Sequence, residues 1–213
     1  MRVFRALAGI AVLVATSAHA SEDSGFYFGA DAGVTRADTR KNNFDQALGV
    51  PTELSTLDDR DTTYGVTAGY KVDSWLAVEA SYLDLGDVKY QVEAETPDGP
   101  ASIGVTLAPA GLALSALVIG DMGKVDLFAR VGVFYADTDF NLSASVPGLS
   151  ESDSFSDSTE ELFWGLGGNY QFADRWSARI EYRNFDKVGD SSSPITADVN
   201  ALNLGIVYTF GRM

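Results

Sequence analysis

The strictest constraint on this chain is the alternation within residues 162–185, LFWGLGGNYQFADRWSARIEYRNF. One parity reads Leu162, Trp164, Leu166, Gly168, Tyr170 and Phe172, and beyond residues 173–175 it resumes as Trp176, Ala178, Ile180 and Tyr182. The other reads Phe163, Gly165, Gly167, Asn169 and Gln171, then Ser177, Arg179, Glu181 and Arg183, which is small, polar or charged apart from Phe163. A period of two on both sides of a short polar break predicts two strands and a tight turn. Such strands suit a soluble sandwich, with the apolar face on a second sheet, or a transmembrane barrel, with the apolar face in lipid. The aromatic residues favour the bilayer. Tyr170, Phe172 and Trp176 crowd the turn, Trp164 and Tyr182 mark the far end, and a smaller apolar band lies between the two belts.

The beginning of the chain supports export. Arg2 and Arg5 precede an apolar run over residues 6–15, and Ala18-His19-Ala20 supplies small residues for signal-peptidase recognition. That run is well short of the roughly 20 residues of a spanning helix. Residues 1–20 are therefore expected to be a signal peptide, cleaved after Ala20, and residues 21–213 the folded domain. The chain has no cysteine, and its single histidine, His19, lies in the expected signal. The mature chain is thereby denied Ser-His or Cys-His catalysis and a histidine zinc site, and no cofactor is expected. Without Arg2 and Arg5, 13 of the 15 basic residues remain against 30 acidic ones, a net charge of −17. That charge excludes nucleic acid as a partner bound by phosphate neutralisation.

Period-two patterns recur along the mature chain. Strands are expected at 25–35, 61–72, 75–85, 104–119 and 124–136, then the pair within 162–185, and a last strand carrying Leu202, Leu204, Ile206, Tyr208 and Phe210 outward. Residues 103–120 hold no charge, long enough for a spanning helix, but Pro109, three glycines and the lack of flanking basic clusters favour a long strand bent near Pro109. Short turns alternate with long polar loops at 36–60, 86–103, 137–160 and 186–197. Eight strands so connected predict an all-β fold, an eight-stranded antiparallel up-and-down transmembrane β-barrel with its short turns periplasmic and its acidic loops outside. An even strand count lets the last strand pair with the first and leaves no edge in lipid.

Several segments carry a family resemblance: GFYFGADAG at 25–33, VEASYLDLG at 78–86, GLGGNYQ at 165–171, WSARIEYR at 176–183 and LNLGIVYTF at 202–210. Together, in this order and spacing, they resemble the OmpA-like outer-membrane β-barrel family of Gram-negative bacteria. The resemblance implies a barrel of the Gram-negative outer membrane, delivered by the barrel assembly machinery and surrounded by lipid and lipopolysaccharide. Larger family members carry a periplasmic peptidoglycan-binding domain. Here only Gly211-Arg212-Met213 follows Phe210, so no peptidoglycan tether is carried over, and the terminal aromatic of the assembly signal is displaced by three residues.

Other motifs read blandly. Gly165-Leu-Gly-Gly lies inside a strand rather than before a helix, unlike a phosphate loop. The acids Glu151, Asp153, Asp157, Glu160 and Glu161 lack the spacing of a calcium loop and read as a solvated segment, although divalent ions could bridge them to lipopolysaccharide. The lumen is more informative, because an eight-stranded barrel is only wide enough for its own side chains. Glu79 and Arg179 face inward at similar depth, with Arg130 and Glu181 about one inward step higher, and a paired network among the four is expected to plug the barrel, with Asp31, Lys71 and Asp126 as outer members. The alternative is that these groups are solvated in a wet lumen. Three functions follow: a structural or surface barrel; a small channel or transporter for ions, small solutes or apolar compounds; and a lipid-modifying enzyme, which the missing histidine disfavours.

Overall fold

The computed structural model describes residues 24–38, 55–58, 60–96, 99–146, 149–188 and 197–210. The expected signal peptide lies outside these residues, as do 39–54 and 189–196, the greater part of two expected loops. The described chain forms ten strands: β1 (Gly25–Asp38), β2 (Ser55–Asp58), β3 (Arg60–Asp73), β4 (Leu76–Asp84), β5 (Val88–Thr96), β6 (Gly99–Asp121), β7 (Val125–Val146), β8 (Leu149–Ala173), β9 (Trp176–Val188) and β10 (Ala197–Thr209). Eight of them make a closed antiparallel wall in the order β1-β3-β4-β6-β7-β8-β9-β10, with β10 returning to β1 from Tyr27↔Thr209 to Asp38↔Asp198. Closure gives the backbone groups at membrane depth a partner across a strand, which lipid itself does not supply. Residues 103–120 lie within β6, so the helix alternative does not occur.

The wall obeys the alternation that predicted it. Outward positions such as Val66, Val118, Val131, Leu166 and Leu204 are exposed apolar side chains. At the end with the short turns, Phe26 and Tyr70 lie 4.8 Å apart, Trp176 and Tyr208 4.9 Å, and Tyr208 and Phe210 4.9 Å between ring centroids. At the other end Trp164 and Tyr182 pair at 5.8 Å, on a level with outward Tyr64, Tyr82 and Tyr135. The turns are tight. Ala173 pairs with Trp176 across two residues, and Gly123, at φ +86°, donates its N–H to Asp121 Oδ1 at 2.6 Å.

Two expected loops are strand instead. Residues 88–96 and 99–103 continue the ladder as β5 and the start of β6, and 137–146 with 149–160 form the upper half of a β7–β8 hairpin paired from Val125↔Tyr170 to Val146↔Leu149. The acids at Asp137, Asp139, Glu151, Asp153 and Glu160 therefore stand on strands. A polar outward parity reads as loop when lipid is assumed outside, but a hairpin that rises out of the bilayer meets water there, and its ladder needs no apolar outer face.

β4 and β5 form one interrupted strand along β6: β4 ends at Asp84↔Ala110 and β5 begins at Val88↔Leu107. Between them Gly86 adopts φ +76°, where an added Cβ would come within 2.7 Å of Asp61 Cβ, and Leu85 N–H donates to Pro109 O at 3.0 Å. The extra residue switches the inward parity from Ala77, Glu79, Ser81 and Leu83 to Tyr90 and Val92, as a bulge does. Pro109 stands at this break in the ladder, where a missing N–H costs least.

Candidate functional site in the barrel lumen

Inward side chains fill the barrel in three tiers. Nearest the turns, Tyr27, Ala77, Leu117, Phe128 and Val207 form an apolar cluster with Ile119 packed against it. Towards the outer end, Leu83, Leu85, Ala113, Phe134, Ala136, Phe163, Phe185, Val199 and Ala201 form a second. Its rings interlock: Phe163 stacks on Phe185 at 5.1 Å, and Phe134 meets Phe185 edge-on at 5.3 Å. Lumen glycines make room for these rings. A Cβ on Gly69 would sit 2.2 Å from the Tyr27 ring, one on Gly167 2.5 Å from Phe128, and one on Gly132 2.5 Å from Phe163, each the cross-strand partner of that glycine.

Between the apolar tiers lies a cluster of charges. Glu79 is its hub: Tyr27 Oη donates to Oε1 at 2.7 Å, Arg179 Nη1 donates to the same oxygen at 2.9 Å, and Arg130 Nη2 pairs with Oε2. Arg130 Nε lies 2.9 Å from Glu181 Oε1, an ion pair too oblique to be a hydrogen bond. Arg183 Nη2 donates to Glu181 Oε2 at 2.9 Å and, with Nη1, reaches both oxygens of Asp31 at 3.2 Å. Asn203 Nδ2 also donates to Asp31 Oδ1, and Arg179 Nε donates to Asn169 Oδ1 at 2.8 Å. Three carboxylates thus face three guanidiniums, so the cluster is neutral. Arg179 also lies over the Phe128 ring at 5.0 Å, which ties the charges to the tier below.

Burial makes this pairing necessary. Glu79, Arg130, Arg179, Glu181 and Arg183 are all buried, and taking an ion out of water costs several kcal/mol unless a partner offsets it. Arg130 Nη1 and Arg183 Nε have no hydrogen-bond partner among the described residues, so even this network is incompletely satisfied.

The structure brings the four sequence-predicted residues into one connected cluster and adds Asp31 through Arg183. Lys71 and Asp126 do not join it. They line a separate pocket of about 130 Å³ at the turn end, with Asp121, Lys124 and Gln171. Sequence reasoning missed Arg183, Tyr27 and Asn203 as members. Arg183 shares the inward parity of Arg179 and Glu181, and that signal alone would have included it. The apolar tiers were missed as well, because Phe128, Phe134 and Phe163 looked like exceptions to a polar face when they are the faces of the seal. Among the described residues no group of three or more histidine, cysteine or acidic side chains is arranged to hold a metal.

A closed eight-stranded wall with an apolar girdle and a lumen filled by its own side chains defines a small transmembrane β-barrel. Comparison with known proteins gives the family: the OmpA-like transmembrane domain matches residues 21–213, and the chain belongs to that family. It is similar to outer membrane protein A of Serratia marcescens, 28% identical over 97% of this chain and 54% of the relative. It is also 28% identical to outer membrane protein A of Yersinia pseudotuberculosis, over 70% of this chain and 40% of that protein. The chain thus spans about half the length, or less, of the curated relatives it matches. Among solved structures, Neisserial surface protein A aligns over 88% of this chain and 99% of its own, with 16% identity and a TM-score of 0.50, a likeness of fold alone.

Proposed function

We propose that the protein is a structural and surface barrel of the Gram-negative outer membrane whose lumen does not conduct. Residues 1–20 act as its cleaved signal, the barrel assembly machinery inserts it, and its lipid partners include lipopolysaccharide. The observation that carries the reading is the neutral, buried charge cluster held between two apolar tiers. An ion crossing the lumen would have to separate paired charges and also pass the Phe134, Phe163 and Phe185 rings, where nothing replaces its hydration. The long β5–β6 and β7–β8 arms then stand outside the cell, and their acids supply much of the surface charge. No catalytic step enters this reading.

The alternative role is a channel or transporter for ions, small solutes or apolar compounds. Planar-bilayer recording separates the two. The refolded barrel is expected to be nearly silent, with brief openings in Glu79→Ala; large, steady conductance in the unmodified protein, unchanged by that substitution, would favour the channel.

A further inference from the structure

We propose that the pocket of about 130 Å³ at the turn end of the lumen binds a small zwitterionic α-amino acid, with Lys71 and Lys124 as partners of its carboxylate and Asp126 and Asp121 as partners of its ammonium. The inference rests on the outer-membrane reading only for the compartment that supplies the ligand, the periplasm. Lys71, Asp121, Asp126, Asn169 and Gln171 carry the inward parity of their strands, and Lys124 joins them from the β6–β7 turn. On β7 Asp126 is one inward step nearer the turn than Phe128, and on β3 Lys71 is one such step beyond Gly69, the ladder partner of Tyr27. The lower apolar tier therefore stands between these charges and the Glu79 cluster. Asn169 links the two levels through the hydrogen bond that Arg179 Nε donates to its Oδ1.

Two acids meet in this pocket. Asp121 opposes Asp126 directly across the β6–β7 ladder, and like charges so placed repel each other. Asp121 Oδ1 is taken by the N–H of Gly123, whereas the half-buried carboxylate of Asp126 accepts no hydrogen bond among the described residues. Lys71 acts on Asp126 electrostatically, yet among the described residues neither it nor Lys124 forms an ion pair. Two carboxylates and two ammoniums thus line one cavity without closing on each other. An anion would leave the acids opposed, and a cation would leave the lysines without a counter-charge. A ligand that carries both charges on neighbouring atoms satisfies all four through charge-assisted hydrogen bonds. Size agrees, because a cavity of about 150 Å³ takes benzene and one slightly smaller therefore suits about six non-hydrogen atoms, the count in alanine.

The test uses the chain from Ser21 onward, refolded in uncharged maltoside micelles and titrated with alanine, with binding read by saturation-transfer NMR. The unmodified barrel is expected to bind alanine saturably. N-acetylalanine and alaninamide, each lacking one of the two charges, should bind about tenfold less tightly. Asp126→Asn should weaken alanine about tenfold and leave N-acetylalanine unchanged, and Lys71→Gln should weaken alanine as much and leave alaninamide unchanged. Lys89→Gln, at the other end of the barrel, serves as the control. A heat-dependent gel shift verifies folding, and Asp121→Asn or Lys124→Gln replaces a variant that does not fold. Absence of saturable binding to the folded, unmodified barrel would overturn the proposal, and so would equal affinity for the three ligands. Displacement of alanine by an equal concentration of phosphoethanolamine would overturn it too, by making the pocket a site for a lipid headgroup. Binding in micelles involves no compartment, so its failure would leave the outer-membrane reading untouched.

Discussion

The lower and upper halves of the β7–β8 hairpin follow the same alternation with opposite meaning. Up to Tyr135 the outward side chains of β7 are Val125, Leu127, Ala129, Val131 and Val133, and those of β8 include Leu162, Trp164 and Leu166. From Asp137 onward the same parity of β7 reads Asp137, Asp139, Asn141, Ser143 and Ser145, facing Ser158, Ser156, Ser154, Ser152 and Ser150 on β8. Inside, the change runs the other way: the lower lumen holds the charge cluster, whereas above it Tyr90 and Val92 are buried against Val105 and Leu107. Neither strand breaks at the crossing. The ladder is indifferent to solvent, and the parity that is apolar reports what lies outside the wall, so the lipid boundary falls between Tyr135 and Asp137.

The sharpest way to break this comparison is to remove a charge from each half. Glu79→Ala leaves Arg130 and Arg179 buried without their hub, and the expected loss is about 3–5 kcal/mol, measured by denaturant unfolding in lipid vesicles. Glu151, an exposed acid of the upper arm, should tolerate the same change within about 0.5 kcal/mol. An equal cost at the two positions would mean that the lumen around Glu79 is wet.

A second contrast adds charge to the outer face. Val131→Arg places a cation opposite Ala116 and Trp164 in the girdle, and is expected to cost about 2–4 kcal/mol if that level is near the bilayer midplane. Ser143→Arg, on the same strand and parity but above the boundary, should again stay within about 0.5 kcal/mol. Similar costs at both sites would place the bilayer surface higher on the hairpin.

Much of the wall was legible in the sequence because lipid imposes a strict apolar parity, and a chain with eight such stretches has few other folds open to it. The extent of β6, β7 and β8 was not legible. Their upper halves, such as Asp137-Thr138-Asp139 and residues 150–158, alternate polar with polar or reverse the apolar face, and either pattern reads as loop. The inward charges could be read from parity alone, which set Glu79, Arg130, Arg179 and Glu181 on one interior. Which of them touch depends on register and stagger between non-adjacent strands. Arg179 reaches Glu79 across the lumen from a strand distant in sequence, while Lys71, with the same parity, falls below the Tyr27 and Phe128 tier.

The most direct test of this account is a spin-label scan along β7. The chain has no cysteine, so each single-cysteine variant carries one nitroxide without background. Labels at odd positions from Leu127 to Tyr135 should collide with oxygen dissolved in lipid, and those at Asp137, Asp139, Asn141 and Ser143 with a water-soluble nickel chelate. Even positions at Phe128 and Phe134, where the label replaces a buried ring, should be shielded from both. Nickel access at those lumen positions, or an odd series that shows no change of partner above Tyr135, would contradict the closed lumen and the polarity reversal on which the account depends.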